Sequence, residues 1–373
     1  MPKCRICSND MGEDPLLSYA GMPAQAQHLP EQPGTSGIDL RLFECPCCGV
    51  LQLDCPPVPY YREVIRAVGV SQEMKKFRLE QFSSWLERFD LTGKKILECG
   101  CGKGEYLELM RSAGAKVCGM EFSAENVSAA SAKGLEVEQL YFDTGKEKLS
   151  SAPFDGFFIL NYLEHIPDLS AYLAGIRRNL VPGGYGLVEV PNFDMMIKEK
   201  LFAEFTSDHL YYFTERTLRT LLENNGFDVL SMSSVWHDYI ISAVVQKRIP
   251  FDPAPFTGAE KGLKDQLEKF LSSCRPDEVA VWGAGHQAFA ILAWAGLSDK
   301  IRFVIDSAPF KQGKFIPAGN AEIVPPDVLK TTPLKAILIM AGSYSEEIAH
   351  IIRTQYGTSY RIGILRGNDL SEV

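Results

Sequence analysis

The run Lys95-Ile-Leu-Glu98-Cys-Gly100-Cys-Gly102-Lys-Gly104-Glu105 sets a glycine-rich turn directly after a strand-like segment that ends in a carboxylate. Glycines at alternate positions let backbone pass close to a ligand, because a side chain there would hold the ligand away and only glycine readily accepts a positive φ. Tyr106 to Arg111 then reads as a helix, and Lys116 to Glu121 as a second strand ending in an acid. This is a nucleotide-type βαβ site, with Glu121 placed to accept hydrogen bonds from ribose hydroxyls. The spacing is not the dinucleotide pattern G-x-G-x-x-G. An acid at Glu98 would repel a pyrophosphate, but it could pair with a cationic aminoacyl group.

At 373 residues the chain is too long for one ordinary core, so several modules are expected. With 38 basic against 47 acidic side chains the net charge is -9, which makes phosphate-rich polymers poor partners and argues against a nucleic acid polymer. No apolar signal core opens the sequence, and no run approaches the ~20 apolar residues that span a bilayer. The expected compartment is the cytoplasm, where ten cysteines are not a disulfide framework. Cys4-x-x-Cys7 and Cys45-Pro-Cys-Cys48-Gly form two C-x-x-C knuckles. Two such pairs make a tetrahedral four-thiolate zinc site. With all four positions filled by Cys4, Cys7, Cys45 and Cys48 no water could be activated, so the expected Zn2+ is structural.

The first module is expected to span residues 1–59 and to need its metal to fold. Residues 60–248 form a second domain, with a helical lead-in over 60–92 in which Met74, Phe77, Phe82, Trp85 and Leu86 recur at helix-like spacings. Strands are expected at Glu136 to Phe142, Phe154 to Leu160 and Gly184 to Val190, which gives a parallel doubly wound sheet. Asp228 to Trp236 and Tyr239 to Lys247 are separated only by His237-Asp238 and read as a hairpin. Residues 249–258 break periodicity and read as a linker. Residues 259–373 then restart with Val279-Ala-Val-Trp-Gly283-Ala-Gly285-His286-Gln-Ala288 and an acid, Asp306, about 20 residues on, close to the dinucleotide fingerprint. This half either binds a ligand at that turn or serves only as a packing domain.

Two histidines fall where strands of an open α/β sheet should present ligand-binding residues: His165, in Asn161-Tyr-Leu-Glu164-His165, and His209, in Thr206-Ser-Asp208-His209-Leu-Tyr211-Tyr212-Phe213. A histidine beside a carboxylate can act as a general base near neutral pH. His209 with Asp208 is the first choice, while His165 reads equally as catalytic or as pocket lining. Tyr60, Tyr61, Tyr211 and Tyr212 could orient a sugar or stabilise an enolate oxygen.

The Glu98 to Gly104 loop resembles motif I of the class I S-adenosylmethionine-dependent methyltransferases. The three modules in this order resemble the zinc-containing sugar C-methyltransferases, through the four cysteines, that loop, Glu189-Val-Pro191, Asp208-His209 to Tyr212-Phe213, Gly283 and Lys311-Gln-Gly313. The resemblance implies an α/β fold: a class I methyltransferase doubly wound sheet with an antiparallel hairpin strand, an N-terminal zinc-binding domain and a C-terminal Rossmann-like domain. It implies S-adenosylmethionine held by Glu98, Gly100, Gly102, Gly104, Glu121, Phe122, Asp143 and Asn161. It also implies a nucleotide-linked keto-deoxysugar met by Tyr60, Glu164, Asn192, Gly283, Gly285, His286, Asp306 and Lys311. Catalysis would fall to His209, Asp208, His165, Tyr211 and Tyr61, with His209 removing the proton beside the ketone. Monomer and dimer are equally compatible with the sequence.

The family usually shows Tyr-His-Glu-His where this chain has Thr206-Ser207-Asp208-His209, and a lysine is common in the C-terminal glycine turn where this chain has His286-Gln287-Ala288. Tyr60-Tyr61-Arg62-Glu63 lacks the usual serine-rich continuation. These departures fall on the acceptor side. An O- or N-methyltransferase of the same architecture is the alternative, and an RNA-modifying enzyme is disfavoured by the acidic charge.

Overall fold

The structure is a computed structural model that describes residues 2–26, 36–63 and 70–373. It divides into two compact units, Met1–Pro250 and Phe251–Val373. Part of the helical lead-in expected over 60–92 lies outside the described residues.

The first unit opens with β1 (Leu17–Met22), β2 (Ile38–Glu44), β3 (Leu51–Leu53) and α1 (Gln72–Arg88). The βαβ core follows as β4 (Lys95–Cys99), α2 (Glu105–Ser112), β5 (Lys116–Glu121), α3 (Ala124–Ser131), β6 (Val137–Gln139) and β7 (Phe154–Leu160). Next come α4 (Leu169–Asn179), β8 (Leu180–Pro191), α5 (Phe193–Glu199), β9 (Tyr211–Tyr212), α6 (Glu215–Asn224), β10 (Phe227–Val235) and β11 (Ile240–Lys247).

The large sheet runs β10-β11-β8-β7-β4-β5-β6, parallel from β8 through β6, with β11 antiparallel to both β8 and β10. This is the doubly wound sheet with an antiparallel hairpin strand expected from the sequence. Its centre is Leu97, Phe157, Ile159, Val188 and Ile241, each wholly buried, because strands covered on both faces must be apolar on both. Helix α1 packs Phe82, Trp85 and Leu86 against it, and its N-terminus is capped by Ser71 accepting from the Met74 amide.

Two expected elements differ. The strand expected over 136–142 is only β6, because Tyr141 and Phe142 leave the sheet edge for the core; the Phe142 ring packs where a Cβ on Gly175 of α4 would come within 2.4 Å. The small sheet runs β1-β2-β3-β9, so its last strand comes from residues 211–212 and the N-terminal sheet continues past residue 59.

The second unit contains α7 (Ala254–Leu271), β12 (Val279–Trp282), α8 (His286–Trp294), β13 (Phe303–Ile305), β14 (Glu322–Val324), β15 (Ala336–Ile339), α9 (Ser345–Ile351), β16 (Arg361–Arg366) and β17 (Asp369–Glu372). Its sheet is β14-β13-β12-β15-β16-β17, parallel except for β17. Helix α7 begins inside the segment read as a linker, directly after Pro253, whose fixed φ suits a helix start. Among the described residues no helix is long and apolar enough to cross a membrane.

Candidate functional site

At the carboxyl end of β4 the chain turns through Gly100, Gly102 and Gly104 with φ of 73°, 54° and 83°, all in the region that only glycine enters cheaply. Gly104 begins α2, and a Cβ on it would lie 2.3 Å from Leu135 Cδ1, so the loop can take this path only without a side chain. The amides of Gly100 and Cys101 donate to the Met120 carbonyl, and the Gly102 amide donates to Glu121 Oε2 at 2.8 Å. Glu121 Oε1 accepts from the Ser123 amide at 2.9 Å. Burial raises the Glu121 pKa, against the pull of those amides. Each carboxylate oxygen keeps a second lone pair. Glu98 is buried on β4 beside this loop. The donor set read from the sequence is thus largely drawn together, and the side-chain-free loop fits a ligand that approaches backbone.

Arg62 is a member of this region that sequence reasoning did not single out. Its Nη2 lies 2.7 Å from Asp143 Oδ1, and its guanidinium covers the rings of Tyr61, Phe122 and Tyr141 at 5.2, 5.5 and 5.3 Å from their centroids. The ion pair with Asp143 raises the Arg62 pKa. The only sequence signal was its place after two tyrosines.

At the same carboxyl edge of the sheet, after β7, is a cavity of ≈ 490 Å³, whose walls include Tyr61, Asn161, Glu164, His165, His209 and Trp236. Asn161 follows β7 with a φ of 48°. Trp236, His237 and Asp238 all have positive φ in the tight turn between β10 and β11, and this turn brings Trp236 and Tyr239 to the wall.

The segment carrying His209 is pinned on both sides. His165 Nδ1 is 2.8 Å from the Asp208 carbonyl, and the Leu210 amide donates to the Glu164 carbonyl at 2.8 Å. Below it, Leu53 donates to the Leu210 carbonyl, and β3 pairs Leu51 with Tyr212 and Gln52 with Tyr211. The small sheet therefore positions His209. The His165 and His209 rings meet edge to face with centroids 4.8 Å apart. Burial, reinforced by His165, pushes the His209 pKa down to about 3, and burial also lowers that of His165. Burial raises the Glu164 carboxyl to about 8.

Other sequence-selected residues serve different ends. Asp208 is not a partner of the His209 ring: its carboxylate accepts from Tyr60 Oη, at 3.1 Å on both oxygens, and from the Ala26 amide at 2.9 Å. Tyr211 is buried, stacks on Phe213 and donates to the Pro167 carbonyl. Asn192 caps α5 and donates to Ser234 Oγ and the Asp238 carbonyl.

In the second unit, Gly283 has a φ of 117° and a Cβ there would come within 2.6 Å of the Met340 carbonyl. Asp306 accepts from the Ala284 and Ala308 amides and pairs with Lys311 Nζ at 2.9 Å. Although burial opposes it, these hydrogen bonds hold the Asp306 pKa below the usual value. Gly285 and His286 start α8 and are exposed. Lys311, expected among the substrate-binding residues, donates to the Ala284 carbonyl and to Asp306 Oδ2.

The four sulfurs of Cys4, Cys7, Cys45 and Cys48 lie within 4.8 Å of one another, with Cys4 to Cys48 at 3.6 Å and Cys7 to Cys45 at 3.4 Å. A tetrahedral zinc with Zn–S of about 2.3 Å places its sulfurs about 3.8 Å apart, so the group could hold such an ion. Burial pushes the Cys4 thiol up to about 11, and a cation would offset that cost by stabilising the thiolates.

Residues 74–232 match a methyltransferase domain family, and residues 254–359 match a C-methyltransferase C-terminal domain family. The C-methyltransferase NovU of Streptomyces niveus is 26% identical over 93% of this chain and 91% of its own length. A ubiquinone biosynthesis O-methyltransferase of Aeromonas salmonicida is 33% identical, over 39% of this chain and 67% of its own. Among solved structures, the PH0226 protein from Pyrococcus horikoshii has 17% identity and a TM-score of 0.41, covering 51% of this chain and 98% of that one.

Proposed function

The chain belongs to the class I S-adenosylmethionine-dependent methyltransferases, with a C-methyltransferase C-terminal domain, and on that premise we propose that it methylates the carbon beside the ketone of a nucleotide-linked deoxysugar. When bound, S-adenosylmethionine supplies an electrophilic methyl group on a positively charged sulfur. The residues that would hold it are Glu98, the backbone from Gly100 to Gly104, Glu121, Phe122 and Asp143. The four cysteines would hold a structural Zn2+ that keeps the small sheet folded.

A carbon next to a carbonyl becomes nucleophilic only as an enolate, so the site needs a base, a partner for the oxyanion and a dry surrounding. The His209 imidazole takes the proton and the C–H electron pair moves to form the enolate; with the donor bound, that carbon would accept the methyl group as the methyl–sulfur bond breaks, and adenosylhomocysteine, a neutral thioether, would leave. His209 is uncharged at neutral pH, but a pKa of about 3 makes the free imidazole a weak base, so the step relies on the neighbouring enolate to favour its protonated form. Glu164, protonated up to about pH 8, can donate a hydrogen bond to the oxyanion. His165, with Nδ1 on the Asp208 carbonyl, fixes the edge against which His209 rests.

The observation that carries the reading is the His209 imidazole, held by the hydrogen bonds of its neighbours in the wall of a cavity at the carboxyl edge of the sheet, in a chain aligned almost end to end with a C-methyltransferase. The test is deuterium wash-in: without donor, in deuterated buffer, the enzyme should exchange the proton beside the ketone of a nucleotide-linked 4-keto-sugar. Exchange that survives His209→Ala unchanged would remove His209 from the role. A second reading, methyl transfer to oxygen, is favoured by Thr206 in place of the family tyrosine and by the likeness of 39% of the chain to an O-methyltransferase. Turnover of a hydroxylated acceptor with no wash-in on any keto-sugar would select it.

A further inference from the structure

We propose that Glu164, His165 and His209 form a second metal site, open to the cavity, for one divalent transition-metal ion of the zinc class. The ligand atoms of these three residues lie within 4.8 Å of one another. His165 Nε2 is 3.8 Å from Glu164 Oε1, and the His165 and His209 rings meet edge to face at 79° with centroids 4.8 Å apart.

Three further features fit a metal site. First, His165 Nδ1 is paired with the Asp208 carbonyl, which makes Nδ1 the donor and leaves the Nε2 lone pair facing the carboxylate. Metal-binding histidines are ordinarily oriented by such a bond through the other ring nitrogen. Second, Glu164 is 1% exposed, and its Oε2 has no hydrogen-bond partner among the described residues. A buried carboxylate oxygen facing two imidazoles and a cavity is a costly arrangement that a cation would relieve. Third, the cavity of ≈ 490 Å³ bounds all three residues, so the positions they do not fill are open to water or to an oxygen of a substrate. Two imidazoles, one carboxylate and an open position suit Zn2+, Co2+ or Fe2+ and not Mg2+ or Ca2+.

Ligands at about 2.0–2.2 Å from a tetrahedral ion are separated by about 3.2–3.6 Å, so atoms that lie within 4.8 Å of one another need to close by at most about 1.2–1.6 Å. The hydrogen bonds on both sides of His209, from Leu210 to the Glu164 carbonyl and from His165 to the Asp208 carbonyl, join the two loops that carry the three residues. This site differs from the four-cysteine group in ligand type and in keeping an open position. It stands whether or not His209 is the base.

The full-length protein, with its cysteine-bound ion retained, is dialysed against micromolar free Zn2+ and its bound zinc counted. The wild type should gain one equivalent over the cysteine-bound ion, and His165→Gln, His209→Gln and Glu164→Gln should each lose that equivalent while keeping the first. Cobalt titrated into the zinc-loaded wild type provides a check that needs no variant. It should give visible ligand-field bands without thiolate-to-metal charge transfer. A wild type that gains no equivalent, variants that all still gain it, or cobalt bands accompanied by thiolate charge transfer would overturn the proposal.

Discussion

Replacing Arg78 on α1 should destabilise the first unit far more than replacing any exposed arginine. Arg78 and Glu189 of β8 are each 0% exposed, and Nη1 lies 2.5 Å from Glu189 Oε2. Gln81 joins them, accepting from Arg78 Nη1 at 2.7 Å and donating to Glu189 Oε1 at 2.5 Å. Arg78 also covers the rings of Phe77 and Tyr106 at 5.1 and 5.3 Å. Desolvating two such ions costs several kcal/mol each and their attraction roughly repays it, so the intact pair contributes little net stability. Removing one partner is different, because the other charge stays buried.

Arg78→Met should therefore cost about 3–5 kcal/mol, towards the lower end because Gln81 still donates to Glu189. Arg78→Met with Glu189→Leu should recover most of that loss and, since Glu189→Leu alone strands a buried guanidinium at a similar cost, the double-mutant cycle should give a coupling energy of about 5 kcal/mol. The assay is urea unfolding of the full chain, with the transition of the first unit assigned by hydrogen exchange of peptides from β8. A single variant costing under about 1 kcal/mol, or a double variant costing the sum of the singles, would refute the reasoning. Met74, on the same helix, lines the cavity, so the single variant should also raise KM more than it lowers kcat.

Gly104→Ala combines a left-handed φ of 83° with a Cβ 2.3 Å from Leu135 Cδ1. The strain of about 1–2 kcal/mol and the overpacking of about 1–3 kcal/mol should appear in denaturation and in weaker adenosylhomocysteine binding by calorimetry. In the second unit, the lowered pKa of Asp306 contributes stability that is present above its unfolded value and lost as pH falls through the folded one. Lys311→Met should shift that acid limb to higher pH in a fluorescence-monitored titration of unfolding. Stripping the four-cysteine group with a thiol-reactive mercurial should release one zinc per chain, seen with a chromogenic chelator, and abolish wash-in, since β3 and β9 hold the segment that carries His209.

The donor half was legible because its constraints are local. Three glycines within five residues, an acid before them and an acid at the end of the next strand declare their geometry in the sequence, and the structure gives all three glycines positive φ. The hairpin was equally readable from His237-Asp238 between its two β-rich runs, although β10 ends at Val235 and β11 begins at Ile240. The acceptor side depends on long-range folding. Asp208 beside His209 in sequence suggested a catalytic pair, but Tyr60 and Ala26 take the carboxylate, while His165, 44 residues away from His209, supplies the ring contact. Tyr211 sits within the motif but faces the core, because a two-residue strand puts successive side chains on opposite faces. Nor could composition announce that the N-terminal sheet borrows β9, since the pairing of Leu51 with Tyr212 spans most of the first unit.

The base and the second metal site compete for one lone pair. A divalent ion held by His209 removes the electrons that would accept the proton from carbon, so proton abstraction and metal occupancy cannot coexist on that ring. Adding Zn2+ to the zinc-loaded enzyme should then slow deuterium wash-in, with a midpoint equal to the dissociation constant found by dialysis. Donor binding, measured by calorimetry, should not change, because Glu98, Glu121 and the glycine loop contribute none of the three ligands. His165→Gln separates the effects: it removes a metal ligand but leaves the His209 lone pair, so wash-in, lowered by the loss of the ring that positions His209, should no longer respond to zinc. Wash-in that continues undiminished while dialysis shows the second equivalent bound would mean that the proton leaves to a group other than His209.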